Sequence, residues 1–497
     1  MAGMSEDHPN EAQSGERRRA SAHTPAAGGG AIAAMRRHPR AWLAAAATLA
    51  FLLVGGGAFA AGTAIGGSPA DDAAPAAVAA TTTVTPTPAA TPTQRPQPQA
   101  LAVAAPVRTC SIADRASDAR LGTFLGQVRD AATGEVLFDR SGTTPARTAS
   151  VMKVLTSAAA LAVLGPDYRV PTTVVKGSAP GQIVLVGGGD ITLASGSSNI
   201  YDDAASMSDL AAQVQQAWAA SGGGSITSIV LDASIFSGDR WQPSWNRKEQ
   251  RDGYSSEVTG LQVDGDRAEP GANVSTRSDD AVLSAGEAFA SALGVSASLA
   301  EGVAPAGATQ LGQVLSAPVS TMIPDALLRS DNTEAEMLAR LVAVKLGVGS
   351  DFASLAVAIP KALATYGLDT SGLTIADGSG LSDDNGVPPD FLTRLFAKIQ
   401  NQEADLSVIY NGLPVAGKTG TLAGRFGGDA SDAVGSVIAK TGWIDTGYTL
   451  SGIITAADGR ILTFAFYALD DVGDNAKAAL DSLTAAAYRC GGGLANF

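Results

Sequence analysis

The sequence predicts an α/β unit in which helices cover an antiparallel sheet, and three stretches carry that expectation. The Ala- and Leu-rich run at 151–164 reads as a buried helix. Towards the other end, strand-like runs at 435–439, 448–455 and 461–469 follow one another, the last two joined by Ala457-Asp458-Gly459-Arg460, a hairpin signature. A helical run at about 475–488 completes the layer pattern.

In chain order, residues 1–40 are polar and end in a basic stretch with Arg36, Arg37 and Arg40, the composition of a disordered cytoplasmic leader. Residues 41–66 carry no charge and are long enough to cross a bilayer, at roughly 20 residues per crossing. The arginines before them place the N-terminus inside and the rest outside. An uncleaved membrane anchor is therefore expected, with secretion after cleavage behind Ala58-Phe59-Ala60 as the alternative. Residues 67–108 are rich in Ala, Thr and Pro and read as an extended linker.

Folded sequence is expected from about Cys110, and the second cysteine, Cys490, stands seven residues from the C-terminus. In an oxidising exterior the two are expected to pair and tie the ends of the folded unit together. The run 122–130 alternates towards Gly134, with Val136-Leu137-Phe138 after it, which predicts a hairpin. Beyond the 151–164 helix come short β runs such as 182–186 and 228–231, with turn glycines at 187–189 and 222–224. They predict an inserted β-rich module over 171–254, the catalytic unit being 109–170 together with 255–497. Helical patterns resume at 281–293 and 333–346.

Charge and histidine usage narrow the chemistry. The net charge of −14, with only 16% of residues charged, argues against nucleic acid as a partner. The three histidines are His8, His23 and His38, all ahead of the uncharged segment, so a Ser-His-Asp triad or a His-ligated metal site in the body of the chain is excluded. Serine catalysis here needs a lysine as base. Ser150 opens the 151–164 helix and Lys153 lies three residues on, along the same helical face and within reach of the hydroxyl. Burial beside other cations would keep Lys153 neutral enough to take the serine proton. By itself this spacing proves little, because in an Ala-rich helix it arises often by chance, as a helix-capping serine beside a solvated lysine.

Two further motifs complete an order. Ser330-Asp331-Asn332 precedes an amphipathic helix, and Lys-Thr-Gly follows later in the chain. The trio S-x-x-K, S-D-N, K-T-G is shared by serine β-lactamases and penicillin-binding proteins. With Leu164-Gly165-Pro166-Asp167-Tyr168, Gly187-Gly188-Gly189-Asp190 and Asp377-Gly378-Ser379-Gly380-Leu381-Ser382, the chain resembles the low-molecular-mass class C penicillin-binding proteins, the D-alanyl-D-alanine carboxypeptidase and endopeptidase family (peptidase family S13), over about 110–490. The resemblance implies a penicillin-recognising, β-lactamase-like α/β domain, antiparallel sheet covered by helices, with the β-rich module inserted.

K-T-G occurs twice, at Lys418-Thr419-Gly420 and Lys440-Thr441-Gly442. The motif has to lie on a strand at the edge of a cleft, where an extended substrate can dock. The run 435–439 leads directly into the second copy, whereas the first follows a Pro- and Gly-containing loop, so Lys440, Thr441 and Gly442 are taken as the site copy. Trp443 follows them where the family usually has Thr or Ser, while Thr421 follows the first copy. The Trp443 N–H can still serve an oxyanion, but a carboxylate-binding hydroxyl is lost from that position.

The resemblance implies that Ser150 attacks the carbonyl between two D-alanines with Lys153 as base. Ser330 and Lys440 then relay the proton, Asn332 holds the acyl side chain, the N–H groups of Ser150 and Trp443 bind the oxyanion, and Thr441 binds the terminal carboxylate. The partners implied are peptidoglycan stem peptides ending in D-Ala-D-Ala, β-lactams as inhibitors, and the membrane through the N-terminal helix; no metal or cofactor is implied. Two readings stand beside this one. A β-lactamase would use the same trio, but the long insertion argues against it, and a non-catalytic peptidoglycan-binding scaffold would show a damaged trio.

Overall fold

The computed structural model describes residues 107–496. The expected leader, the 41–66 anchor and nearly all of the linker lie outside those residues. Among the described residues no helix is long and apolar enough to cross a membrane.

Two five-stranded sheets form the framework. The first has the order β2-β1-β10-β9-β8, from β1 (Thr123–Asp130), β2 (Val136–Arg140), β8 (Val437–Ile444), β9 (Gly447–Thr455) and β10 (Ile461–Leu469). All of its pairings are antiparallel. β1 adds to β10 with Thr123 opposite Leu469, so the N-terminal hairpin extends the C-terminal meander and leaves β8 as an outer strand.

Period-2 alternation explains why β10 reads as an almost unbroken apolar run. Leu462, Phe464, Phe466 and Ala468 pack on one side with Leu480 and Leu483 of the terminal helix Ala476–Cys490. Ala465, Tyr467 and Leu469 face the other way, into a cluster of helices. A strand buried on both faces has no polar face to show.

That second cluster centres on α1 (Met152–Val163), in which every residue from Met152 to Leu161 is buried. Around it pack α4 (Val319–Arg329), α5 (Asn332–Leu346), α6 (Leu355–Leu363) and α7 (Pro389–Gln400), α2 (Met207–Ala220) and α3 (Ala281–Leu293) being the helices of the other sheet. Sequence patterning identified α3 and α5 but not α4 and α6. Each of these contains a proline, Pro324 or Pro360, which interrupts the local helical signal and is tolerated only because packing holds the helix around it.

The second sheet has the order β6-β5-β4-β3-β7, with β3 (Pro171–Lys176), β4 (Gln182–Gly187), β5 (Ser228–Asp232), β6 (Ser298–Glu301) and β7 (Gln310–Leu315). It is mixed: β4, β5 and β6 run parallel, whereas β3 pairs antiparallel with β4 and β7. The expected limit of this module at 254 falls inside it. β7 closes the sheet beside β3, and Val282, Ala285 and Phe289 of α3 share its core with Leu185 and Ile229. Conversely, Trp241, Trp245 and Val258, from the stretch between β5 and α3, belong to the α1 core. The insert thus comes back to the site before its sheet is finished, a long-range pairing that no local pattern announces.

Cys110 and Cys490 are joined by a disulfide, with Cα atoms 5.4 Å apart. Backbone bonds from Cys110 N to Gly493 O (3.0 Å) and from Ala495 N to Cys110 O (2.9 Å) reinforce the closure.

Candidate active site

Ser150 stands in a 3-10 turn, Ala149–Val151, that leads into α1. The preceding Ala149 has φ +47°, a left-handed conformation that costs a non-glycine residue roughly 1–3 kcal/mol unless its surroundings impose it. Two glycines show what imposes it. A Cβ at Gly380 would collide with the Ala149 carbonyl, and one at Gly442 would collide with Thr449 Oγ1 and come within 2.7 Å of Thr148 O. Thr449 Oγ1 in turn donates to Thr148 O at 2.6 Å. The Ser150 turn is clamped between the Asp377–Ser382 loop and β8, which requires a residue without a side chain on each side.

Lys153, wholly buried one turn along, donates to Ser150 Oγ at 2.9 Å, to Asn332 Oδ1 at 2.6 Å and to Ser379 O at 2.7 Å. Three acceptors aim its ammonium at the serine. Burial lowers Lys153 to about 8, although the negative charges of Asp377, Glu336 and Asp331 pull the other way. Buried Lys440 donates to Ser330 Oγ and Thr441 O, both at 2.8 Å. Burial, and then the charge of Lys153, hold Lys440 well below an ordinary lysine. Two buried lysines that feel each other's charge cannot both keep their protons cheaply.

Ser330 ends α4 in the left-handed conformation, φ +60°, and Asp331 caps α5 by accepting from Glu334 N at 3.1 Å. This helix–turn–helix junction turns the Ser330 hydroxyl and the Asn332 amide to one cleft. Asp331, between them, is held in a buried ion pair with Arg267 at 2.6 Å and accepts from Tyr201 Oη at 3.0 Å. The amide of Asn332, expected on substrate, is already engaged at both ends: Nδ2 donates to Tyr254 O at 3.0 Å and Oδ1 accepts from Lys153. One N–H of Nδ2 remains for an acyl group.

Lys440, Thr441, Gly442 and Trp443 lie on β8. Ala439 N donates to Pro414 O at 2.9 Å, on the side of β8 away from β9. By the alternation of an antiparallel strand, the N–H and C=O of Thr441 and Trp443 face that same side. The Trp443 ring is 45% exposed and meets Tyr254 edge to face, centroids 6.2 Å apart. Together Ser150, Ser330, Asn332, Thr441 and Trp443 line a cleft of about 280 Å³. A larger cavity, about 680 Å³, lies elsewhere around Arg129 and Asp390, but its Lys398 is paired with Glu403 at 2.9 Å rather than with a serine, and Arg129 is paired with Asp390 at 2.5 Å.

Of the first Lys-Thr-Gly copy, Lys418 is exposed, and Thr419 Oγ1 accepts from Val415 N at 2.9 Å within its own loop. The next residue does reach the cleft: Thr441 Oγ1 donates to Thr421 Oγ1 at 2.7 Å. Sequence reading noted Thr421 but did not bring it to the site of the second copy.

Two buried carboxylates were also missed. Glu336 accepts from Gly378 N (2.9 Å) and Ser379 N (2.6 Å), and Asp377 accepts from Trp245 Nε1, Gly380 N, Ser382 N and Asn385 Nδ2 at 2.7–2.8 Å. Burial pushes both upwards, Glu336 further because Asp377 is beside it. By holding this loop they point Ser379 O at Lys153. The Asp-Gly-Ser-Gly-Leu-Ser motif was the available signal. Among the described residues, no group of three or more His, Cys, Asp or Glu is arranged to hold a metal ion.

The chain matches the D-Ala-D-Ala carboxypeptidase 3 (S13) family over residues 109–273 and 266–487. It is 36% identical over 392 residues to a carboxypeptidase of Mycobacterium tuberculosis, covering 77% of this chain and 84% of the relative. To the carboxypeptidase DacB of Mycolicibacterium smegmatis it is 37% identical over 383 residues, covering 75% and 82%. In fold it is similar to penicillin binding protein 4 of Haemophilus influenzae, with a TM-score of 0.63 at 21% identity over 76% of this chain and 97% of the other.

Proposed function

The chain belongs to the D-Ala-D-Ala carboxypeptidase 3 (S13) family, and from that premise we propose that it is a serine D-Ala-D-Ala carboxypeptidase/endopeptidase of peptidoglycan, acting through an acyl-enzyme at Ser150. The observation that carries this reading is the 2.9 Å hydrogen bond from buried Lys153 to Ser150 Oγ. It pairs a hydroxyl with a base whose affinity for protons is reduced by its surroundings.

In this reading Ser150 Oγ attacks the carbonyl carbon between the two D-alanines while Lys153 Nζ takes its proton. The N–H groups of Ser150 and Trp443 receive the charge that develops on the carbonyl oxygen, at a strand edge aligned for extended peptide. Lys440 and Ser330, joined at 2.8 Å, pass a proton to the departing amine as the C–N bond breaks. An ester on Ser150 remains, and water hydrolyses it. When the leaving amine belongs to a second stem peptide, the same steps cut a cross-link. The free N–H of Asn332 would hold the acyl chain, and a β-lactam would acylate Ser150 in place of the peptide.

The uncharged stretch at 41–66, following Arg36, Arg37 and Arg40, would hold the catalytic unit at the outer face of the cell membrane. Membrane fractions of cells making the full chain test this, because protein found only in the medium would mean that the segment is cleaved.

Labelling with a fluorescent penicillin, followed by mass mapping of the modified peptide, tests nucleophile and class together. The adduct is expected on the peptide containing Ser150, with none on Ser150→Ala. Label on another serine, or a fully labelled Ser150→Ala, would overturn the assignment.

A further inference from the structure

The strand position after Lys440-Thr441-Gly442 offers no hydroxyl, because Trp443 occupies it and turns its ring to Tyr254. A second hydroxyl nevertheless stands beside Thr441. It belongs to Thr421, 20 residues back along the chain, with Oγ1 2.7 Å from Thr441 Oγ1, and both threonines line the cleft that contains Ser150 and Ser330.

The loop that carries Thr421 is held as part of the sheet edge. Pro414 O accepts from Ala439 N and Ala416 N donates to Val437 O, both at 2.9 Å, so this segment continues the sheet alongside β8. After it the chain folds back, Gly417 N bonding Leu422 O at 3.0 Å, and Leu422 is buried. Gly420, at φ +54°, sits so near Leu328 O that a Cβ would come within 2.9 Å of it, which pins the turn against the end of α4. Thr421 is thus fixed from three sides with its hydroxyl aimed at Thr441.

A hydroxyl pair of this kind suits an anion. Thr441 donates to Thr421, the Thr421 proton is left to be given outward, and on arrival of a carboxylate both can donate. Bonds to a charged acceptor are roughly twice as strong as neutral ones. Lys440, one residue before Thr441, holds its amine 2.8 Å from Thr441 O.

We propose that Thr421, supplied by the duplicated Lys-Thr-Gly loop, joins Thr441 in binding the free C-terminal carboxylate of the substrate and so takes the place of the hydroxyl lost at Trp443. This rests on the carboxypeptidase reading above. A purely structural Thr421 would only fasten the loop to β8, and the two roles separate by the charge of the ligand.

The test compares the acylation rate of the full chain by benzylpenicillin, which carries a free carboxylate, with that by its methyl ester, for wild type, Thr421→Val and Thr421→Ser. Thr421→Val is expected to slow the acid by roughly 10- to 100-fold, as for a lost hydrogen bond to a charged group, and the ester by less than about 3-fold. Thr421→Ser, keeping the hydroxyl, is expected to stay near wild type with both. Equal slowing of acid and ester in Thr421→Val, or no slowing of either, would overturn the proposal. A wild-type protein acylated by neither compound would instead overturn the function on which it rests.

Discussion

Asp331, between Ser330 and Asn332, meets Arg267 at 2.6 Å, the two side chains only 2% and 1% exposed. Burial alone would raise the Asp331 carboxyl, but the charges of Arg267 and Arg277 outweigh it and hold it well below the usual carboxylate range. Removing one member of such a pair strands the other charge in the interior, at a cost of roughly 3–5 kcal/mol. Arg267→Met is therefore expected to lose about that much stability, read as a lower urea midpoint at unchanged slope. A loss under about 1 kcal/mol would show that Asp331 is stabilised by its other hydrogen bonds alone. Because the folded-state value is depressed, this contribution is complete above the unfolded carboxylate range near pH 4 and is lost as pH falls below it.

In the proposed reaction Lys153 has to be unprotonated to accept the Ser150 proton. Burial brings it down to about 8, so the acylation rate should climb with pH and reach half its plateau near pH 8. Asp377→Asn removes a negative charge that favours the protonated lysine, and the midpoint should move to lower pH. Stopped-flow acylation by a chromogenic cephalosporin across the pH range measures both. A flat profile in wild type would mean that Lys153 is not the titrating base.

The two Lys-Thr-Gly copies make an internal comparison. Lys440 is buried and bonded to Ser330, whereas Lys418 is exposed on the loop. Removing a positioned proton-transfer group costs roughly 10²- to 10⁴-fold in rate. Lys440→Ala should lose acylation by about that factor with its circular dichroism unchanged, while Lys418→Ala should acylate nearly as wild type does. The opposite ranking would move the proton relay to the first copy.

The Cys110–Cys490 bond closes a loop with a sequence separation of 380 residues. In the chain-entropy account such a closure contributes several kcal/mol, about 5 to 6. Unreduced tryptic peptides should contain the two cysteines linked, and reduction should lower the thermal midpoint. Two alkylatable thiols in the native protein would contradict the pairing.

Local signals identified most of what lies within a few residues. The spacing of Ser150 and Lys153 on one turn, the β9–β10 hairpin through Gly459, the β1–β2 pair and the α3 and α5 helices all follow from backbone geometry and periodicity that act over short stretches. That Lys440 lies on a strand and Lys418 in a loop was legible for the same reason, since a run of β-forming residues leads into one copy and Pro414 with its neighbouring glycines into the other. What tertiary structure alone decided depends on groups far apart in sequence. Ser379 O meets Lys153 across 226 residues, Thr449 reaches back 301 residues to hold Thr148, and β7 returns to β3 to carry the second sheet beyond residue 254. The shifts of Lys153 and Lys440 arise from burial, which only packing creates. Thr421 came to the cleft because its loop pairs along the open edge of β8, and edge pairing is set by which backbone groups remain unbonded after the sheet has formed.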